Sequence, residues 1–377
     1  MTALLESYAQ GTWYRASDEG RPLADATTGE TVARLSGTGL DVPGMIDYGR
    51  RVGGPALRSL TFHQRAAILK SLAKHLTGHT DEFHTLSHRT GATLRDNAVD
   101  VDGGIGTLFS YASKGTRELP DDTVLPDGPA ERLGRGGTFV GQHVYTSRPG
   151  VAVQINAFNF PVWGMLEKFA PAFLAGVPSI VKPASQTAYL TELVVRRIVE
   201  SGLLPEGALQ LLAGGPAGLL DHLGPQDAVA FTGSAETGAK LRTHPAVVHN
   251  GVRLGVEADS LNCSVLGPDV APEDPEFTLF ADQLVTEMTV KAGQKCTAIR
   301  RAIVPEHLAD AVVDAVGERL ERIVVGDPAD ADTTMGPLAG LDQRTEVRKA
   351  IAALRGSART VFGDPEHCAP AGADPQR

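Results

Sequence analysis

Between residues 150 and 235, short apolar runs alternate with longer amphipathic stretches. The runs Val151-Ala152-Val153-Gln154-Ile155, Ser179-Ile180-Val181, Leu209-Gln210-Leu211-Leu212 and Ala228-Val229-Ala230-Phe231 are too short for helices and predict strands. The intervening segments 162–176, 187–201 and 216–223 predict helices. In the second of these, Leu190, Leu193, Val194, Ile198 and Val199 fall on one side. This strand–helix rhythm predicts an α/β fold with a parallel sheet covered on both faces.

The pattern differs on either side of that block. Residues 45–115 read as helical, with Ala66, Ile68, Leu69, Leu72, Ala73 and Leu76 at helical spacing. Residues 1–44 look irregular, with short strands around Gly11-Thr12-Trp13 and Thr31-Val32-Ala33-Arg34. Residues 118–138, with Pro120, Pro126, Pro129 and a Gly134-Arg135-Gly136-Gly137 cluster, predict a loop, and 139–149 an extended arm. Beyond the block, Cys263-Ser264-Val265-Leu266 predicts a strand, and 276–291, 307–321 and 341–355 predict helices. Residues 363–377 are polar, rich in Pro, Gly and Ala, and close no recognisable element.

Composition narrows the class. The 377 residues suffice for two or three domains, and 42% hydrophobic with 21% charged residues is ordinary for a soluble protein. A net charge of −10 argues against a nucleic-acid binder or a protein of acidic membrane surfaces. No apolar run is long enough to span a bilayer, and the first residues lack a basic segment followed by an apolar one. Three widely separated cysteines, Cys263, Cys296 and Cys368, do not make a disulfide scaffold, and a reducing cytoplasm suits them.

Two groups of residues carry candidate chemistry. The first is a turn between strand and helix, Phe231-Thr232-Gly233-Ser234-Ala235-Glu236-Thr237-Gly238. N–H groups at a helix start favour anionic oxygens such as a dinucleotide pyrophosphate. There Gly233 admits close backbone approach, Ser234 can donate a hydrogen bond, and Gly238 removes a side chain where helix and strand pack. The Gly-x-x-x-x-Gly spacing departs from the general dinucleotide fingerprint, and taken alone it reads better as an ordinary strand-to-helix turn. Lys182 ends a short apolar strand, where open α/β sheets bind ligands, so its ammonium can reach ribose hydroxyls or phosphate. A surface lysine laying its stem along the protein is the alternative.

The second group is chemical. Cys296, in Gly293-Gln294-Lys295-Cys296, is a candidate nucleophile, with Lys291 and Lys295 nearby to favour the thiolate. Cys263 reads as core and Cys368 as incidental. Asn159, in Asn159-Phe160-Pro161, is a candidate oxyanion donor, with a helix cap or turn as the alternative and Asn156 as its neighbour in the same turn. Glu257, among apolar neighbours in Leu254-Gly255-Val256-Glu257, is a candidate general base, and Asp259 is its rival. His75/His79 and His84/His88 have a metal-compatible spacing but sit on what reads as a solvated helical face, and no metal site is expected.

In that order and at those separations, these motifs resemble the aldehyde dehydrogenase superfamily. The resemblance also takes in Thr28-Gly29-Glu30, Lys182-Pro183-Ala184 and Met335-Gly336-Pro337-Leu338. More narrowly, Val256-Glu257-Ala258-Asp259-Ser260-Leu261-Asn262-Cys263 and residues 291–301 are similar to the N-terminal dehydrogenase part of the bifunctional enzymes of phenylacetic acid degradation. In those enzymes a C-terminal hydratase-like domain opens an oxepin ring. The resemblance implies an aldehyde dehydrogenase fold, with a cofactor-binding domain over residues 1–265, an oligomerisation arm near 135–149, and a catalytic domain over 266–377.

It also implies NAD(P)-dependent oxidation of an aldehyde, CoA-linked in the narrower branch. Cys296 is then the nucleophile, Asn159 and the Cys296 N–H hold the oxyanion, Glu257 activates water, and a homo-oligomer is expected at full length. Ser185 stands where the family often has a ribose-binding glutamate, which implies that NADP is accepted and even preferred over NAD. Two departures matter. Ala258-Asp259-Ser260 replaces the usual Gly-Gly-Lys turn, and a Glu-x-Phe-Gly-Pro motif of the family is not found. The second leads us to expect a catalytic domain incomplete at its C-terminus and little activity from this polypeptide alone. Other aldehydes (aromatic, aliphatic or 3,4-dehydroadipyl-CoA semialdehyde) and an inactive nucleotide-binding fragment are the alternatives.

Overall fold

A seven-stranded sheet organises the chain in the computed structural model, which describes residues 3–215, 218–364 and 367–375. Its strands are β1 (Ser7–Ala9), β2 (Thr12–Tyr14), β3 (Ala152–Ile155), β4 (Ser179–Lys182), β5 (Leu209–Leu211), β6 (Ala228–Gly233) and β7 (Arg253–Ala258). They lie in the order β7-β6-β3-β4-β5-β1-β2. Strands β3 to β7 are mutually parallel, and β1 and β2 add an antiparallel edge.

Helices cover both faces, which is why the central strands are apolar on both sides. On one face, α1 (Phe62–Thr77), α2 (Gly103–Arg117), α3 (Trp163–Leu174) and α4 (Ala188–Glu200) pack with Val181, Leu209 and Leu211 in the larger core. On the other, Val153, Ile180 and Val229 meet Val42, Met45, Ile46 and Leu220. Helix α1 shows how the sequence builds a layer. Thr61 accepts from the Gln64 N–H while the Gln64 side chain accepts from the Thr61 N–H, which closes a capping box. Leu69, Leu72, Ala73 and Leu76 then form its buried stripe. Emptying such a site, as in Leu72→Ala, costs roughly 2–5 kcal/mol.

Helix α5 (Ala235–Arg242) links β6 to β7. Beyond it, β8 (Cys263–Val265) pairs in parallel with β9 (Arg301–Ile303), outside the large sheet. Helices α6 (Pro275–Thr289) and α7 (Ala309–Leu320) share a small core of Leu266, Phe277, Phe280, Leu284, Leu308 and Val312. Helix α8 (Leu341–Leu354) has no buried residue. No helix among the described residues is long and apolar enough to cross a membrane.

Three expectations change. The predicted loop at 118–138 contains a strand, Leu125–Arg132, which pairs antiparallel with Val140–Tyr145. Prolines 126 and 129 are tolerated because each strand of a two-stranded ribbon has a free edge that needs no N–H donor. The predicted helix at 216–223 is a 3₁₀ turn over Leu219–His222, with residues 216–217 outside the described residues. Cys263 is exposed rather than core, because β8 lies in a two-stranded pair where Cys263 and Val265 both face outward.

Candidate active site

The C-terminal ends of β3, β4, β6 and β7 bring the predicted cofactor residues and Glu257 to one edge of the sheet. Strand β6 ends at Gly233, and Ser234 caps α5 by accepting from the Thr237 N–H at 3.3 Å. A Cβ on Gly233 would lie 2.5 Å from the Phe231 ring, and one on Gly238 2.9 Å from Val256. Both positions therefore exclude side chains, and at Gly238 the reason is close packing of α5 on β7. Asp259 has a left-handed backbone (φ 49°), and its carboxylate accepts from the Ala235 N–H at 3.2 Å. The first donor of α5 is thus already engaged by an acid of the chain itself.

Lys182 closes β4, with its ammonium 3.2 Å from the Pro183 carbonyl. Burial pushes its pKa down, and the nearby Arg21 guanidinium adds to the shift. The Arg21 side chain is exposed at the start of its strand, with no hydrogen-bond or ion-pair partner among the described residues. Ser185 is half-buried at the start of a short 3₁₀ turn. Asn156 follows β3 and donates its backbone N–H to the Lys182 carbonyl at 3.0 Å. Its side chain is buried with both polar atoms unpartnered. A buried amide in want of partners, a half-buried ammonium and an exposed guanidinium fit the polar, anionic part of a dinucleotide.

The chemical residues converge on one loop. Strand β7 sets Glu257 opposite Thr232, whose hydroxyl donates to the carboxylate at 3.3 Å. Glu257 is exposed rather than enclosed by apolar side chains. After α6 the chain turns through three left-handed residues, Lys291 (φ 53°), Ala292 (φ 51°) and Gly293 (φ 71°), and then presents Cys296. Cys296 is exposed, and partial desolvation together with the nearby Glu257 carboxylate raises its pKa. The backbone N–H groups of Cys296 and Thr297 act the other way. Asn159 donates its side-chain N–H to the Gln294 carbonyl at 2.9 Å, so it too reaches this loop.

The expected help from neighbouring lysines fails, for a visible reason. The Lys295 ammonium is paired with Glu287 at 2.7 Å, and Lys291 is buried against Thr90. Sequence reasoning also missed the residues that hold the loop. Asn262 donates to the carbonyls of Cys296 (2.7 Å) and Ala298 (3.3 Å), and Arg300 to those of Gly293 (3.0 Å) and Lys295 (3.1 Å). The Gln294 side chain spans from the Lys291 carbonyl to the Ala339 N–H. Asn262 and Arg300 both fall inside the motifs singled out above, but no periodicity ties residue 262 to residue 296.

Of the four paired histidines, only His75 and His79 meet, with ring centroids 4.9 Å apart. His75 contacts the Arg197 carbonyl, His79 lies near Glu82, His84 contacts Asp102, and His88 contacts the Ala92 carbonyl. No group of three or more metal-ligating side chains occurs among the described residues.

Comparison with known proteins identifies the family. The family model described as "Aldehyde dehydrogenase family" matches residues 13–372. A 3,4-dehydroadipyl-CoA semialdehyde dehydrogenase of Aromatoleum evansii is 44% identical over 371 residues, covering 98% of this chain and 72% of that relative. Among solved structures, 3,6-anhydro-L-galactose dehydrogenase in complex with NAP superposes with a TM-score of 0.80 at 22% identity, covering 96% of this chain and 73% of that one. Betaine aldehyde dehydrogenase of Staphylococcus aureus in complex with NAD+ superposes at 0.78 and 23%, covering 93% and 68%. These last two likenesses establish the fold. The chain belongs to the aldehyde dehydrogenase family, oxidoreductases that use NAD or NADP.

Proposed function

We propose that this protein oxidises an acyl-CoA semialdehyde to the acid through a covalent bond to Cys296. The observation that carries the reading is the hydrogen bond from Asn159 to the Gln294 carbonyl, two residues before Cys296, with the Glu257 carboxylate near enough to raise the Cys296 pKa. The Cys296 thiolate adds to the aldehyde carbon and forms a thiohemiacetal. Its oxyanion takes hydrogen bonds from Asn159 Nδ2 and the Cys296 N–H. Bound nicotinamide supplies the hydride acceptor. Glu257 then takes a proton from water as that water attacks the resulting Cys296 thioester, which releases the acid and the free thiol. Lys182, Ser185, Gly233, Ser234 and Gly238 are the residues we assign to holding the dinucleotide.

Support for a CoA-linked substrate comes from the 44% identical relative, whose name specifies such a semialdehyde. Ring-opened aromatic acyl-CoA semialdehydes, of the phenylacetate or the 3,4-dehydroadipyl type, are therefore the substrates to try first. NADP use is supported by Ser185 and by the cationic pair of Lys182 and Arg21, which suits a 2′-phosphate. We assign the cofactor domain to residues 1–265 and the catalytic domain to residues 266–377, place the protein in the cytoplasm, and read residues 135–149 as an oligomerisation arm. The test is a panel of free and CoA-linked aldehydes with NAD and NADP, run beside Cys296→Ser. Preference for simple aldehydes would refute the substrate, and strict NAD use would refute the cofactor preference.

A further inference from the structure

A buried charge cluster that the mechanism above does not use lies behind the nucleophile loop. Lys291 is 2% exposed, Asp96 2% and Asp100 0%. The Lys291 ammonium donates to Thr90 Oγ1 at 2.9 Å, and its charge is felt by Asp100 and Asp96. The Lys291 backbone N–H donates to Asp96 Oδ1 at 2.8 Å, while Asp96 Oδ2 accepts from the N–H and hydroxyl of Thr93. Asp100 Oδ1 accepts from the N–H groups of Val162 (3.1 Å) and Trp163 (2.8 Å), and its Oδ2 has no hydrogen-bond partner.

These bonds run to both halves of the proposed oxyanion site. Asp96 holds the loop that ends in Cys296, and Asp100 holds the start of α3, which directly follows Asn159-Phe160-Pro161. Two carboxylates in one buried site repel each other and lose hydration, and a single cation offsets both. Burial pushes the Asp100 pKa up to about 6 even with Lys291 beside it. Two consecutive non-glycine residues in the left-handed region, Lys291 and Ala292, do not persist unless their surroundings impose it.

We propose that Lys291 is a positioning residue: its buried ammonium offsets the charge of Asp96 and Asp100 and so fixes the spacing between Asn159 and Cys296. This rests on the assignment of Cys296 as nucleophile and Asn159 as oxyanion donor. In the variant Lys291→Met both carboxylates stay, uncompensated. In Lys291→Met/Asp100→Asn one of the two carboxylate charges leaves with the cation. The side-chain amide introduced at position 100 keeps an oxygen to accept from Val162 and Trp163, and Asp96, the remaining acid, still accepts from the backbone N–H at position 291 and from the N–H and hydroxyl of Thr93.

The experiment compares wild type, both variants and Cys296→Ser by steady-state kinetics and by amide hydrogen exchange. We expect Lys291→Met to lower kcat by roughly 10- to 100-fold with KM within about 2-fold, and to speed exchange in residues 159–163 and 290–298. The double variant should recover most of both. The exchange comparison decides the question even where turnover is low, and the double variant does so where the single one folds poorly. A Lys291→Met protein with wild-type exchange and kcat, or a double variant no better than the single one, would overturn the proposal. Turnover unaffected by Cys296→Ser would instead overturn the underlying assignment.

Discussion

The side-chain amide of Asn159 donates a 2.9 Å hydrogen bond to the carbonyl of Gln294, two residues before Cys296. An amide nitrogen has two N–H groups, so one can brace the loop while the other serves an oxyanion. Asn159→Ala should therefore lower kcat by about 10²- to 10³-fold, the usual cost of losing one such donor. Dinucleotide affinity, measured by fluorescence titration, should stay unchanged. A fall in that affinity with kcat intact would place Asn159 in the cofactor site instead.

The Cys296 thiol lies above its ordinary pKa, first through partial desolvation and then through Glu257. Alkylation of Cys296 by iodoacetamide should accordingly rise with pH through the alkaline range. A carboxylate charge disfavours the thiolate, so Glu257→Gln must move that profile to lower pH. A shift upward, or none, would show that Glu257 does not act on the sulfur.

Arg21 and Lys182 place two positive groups close together with no carboxylate hydrogen-bonded to either. Arg21→Ala should weaken NADP binding about 10-fold or more and leave NAD nearly unaffected, since a charge-assisted contact contributes about 1.5–3 kcal/mol. Isothermal titration at two salt concentrations reads this directly. Equal losses for both cofactors would remove Arg21 from 2′-phosphate recognition.

Asp259 sets a negative charge at the start of α5, where a pyrophosphate would also be drawn. Asp259→Asn keeps an oxygen for the Ala235 N–H and removes the charge. It should tighten both dinucleotides several-fold, within the range of about 0.3–1 kcal/mol for a charge at a helix end. Weaker binding of both would mean that the carboxylate itself supports the site.

What the sequence disclosed follows from where each residue sits. Strands β3 to β6 and helices α1, α3 and α4 were legible because they are buried and their apolar spacing matches their period. The 125–132 strand was hidden by its prolines, which only an unpaired edge tolerates. Cys263 read as core from apolar neighbours in sequence, yet its strand has one partner and leaves it exposed. Asn159, Glu257 and Cys296 were found by motif, but the contacts that arrange them (Asn262 with Cys296, Lys291 with Asp96) span 34 and 195 positions and leave no local trace.

The most direct test of the account is peptide mapping of Glu257→Gln after acid quench, with an acyl-CoA semialdehyde and NADP supplied. Without the proposed base, hydrolysis should stall after hydride transfer. The predicted result is a burst of about one NADPH per active site, with the acyl group on Cys296 and none on Cys263 or Cys368. An unmodified Cys296, or acylation at either of the other cysteines, would contradict it.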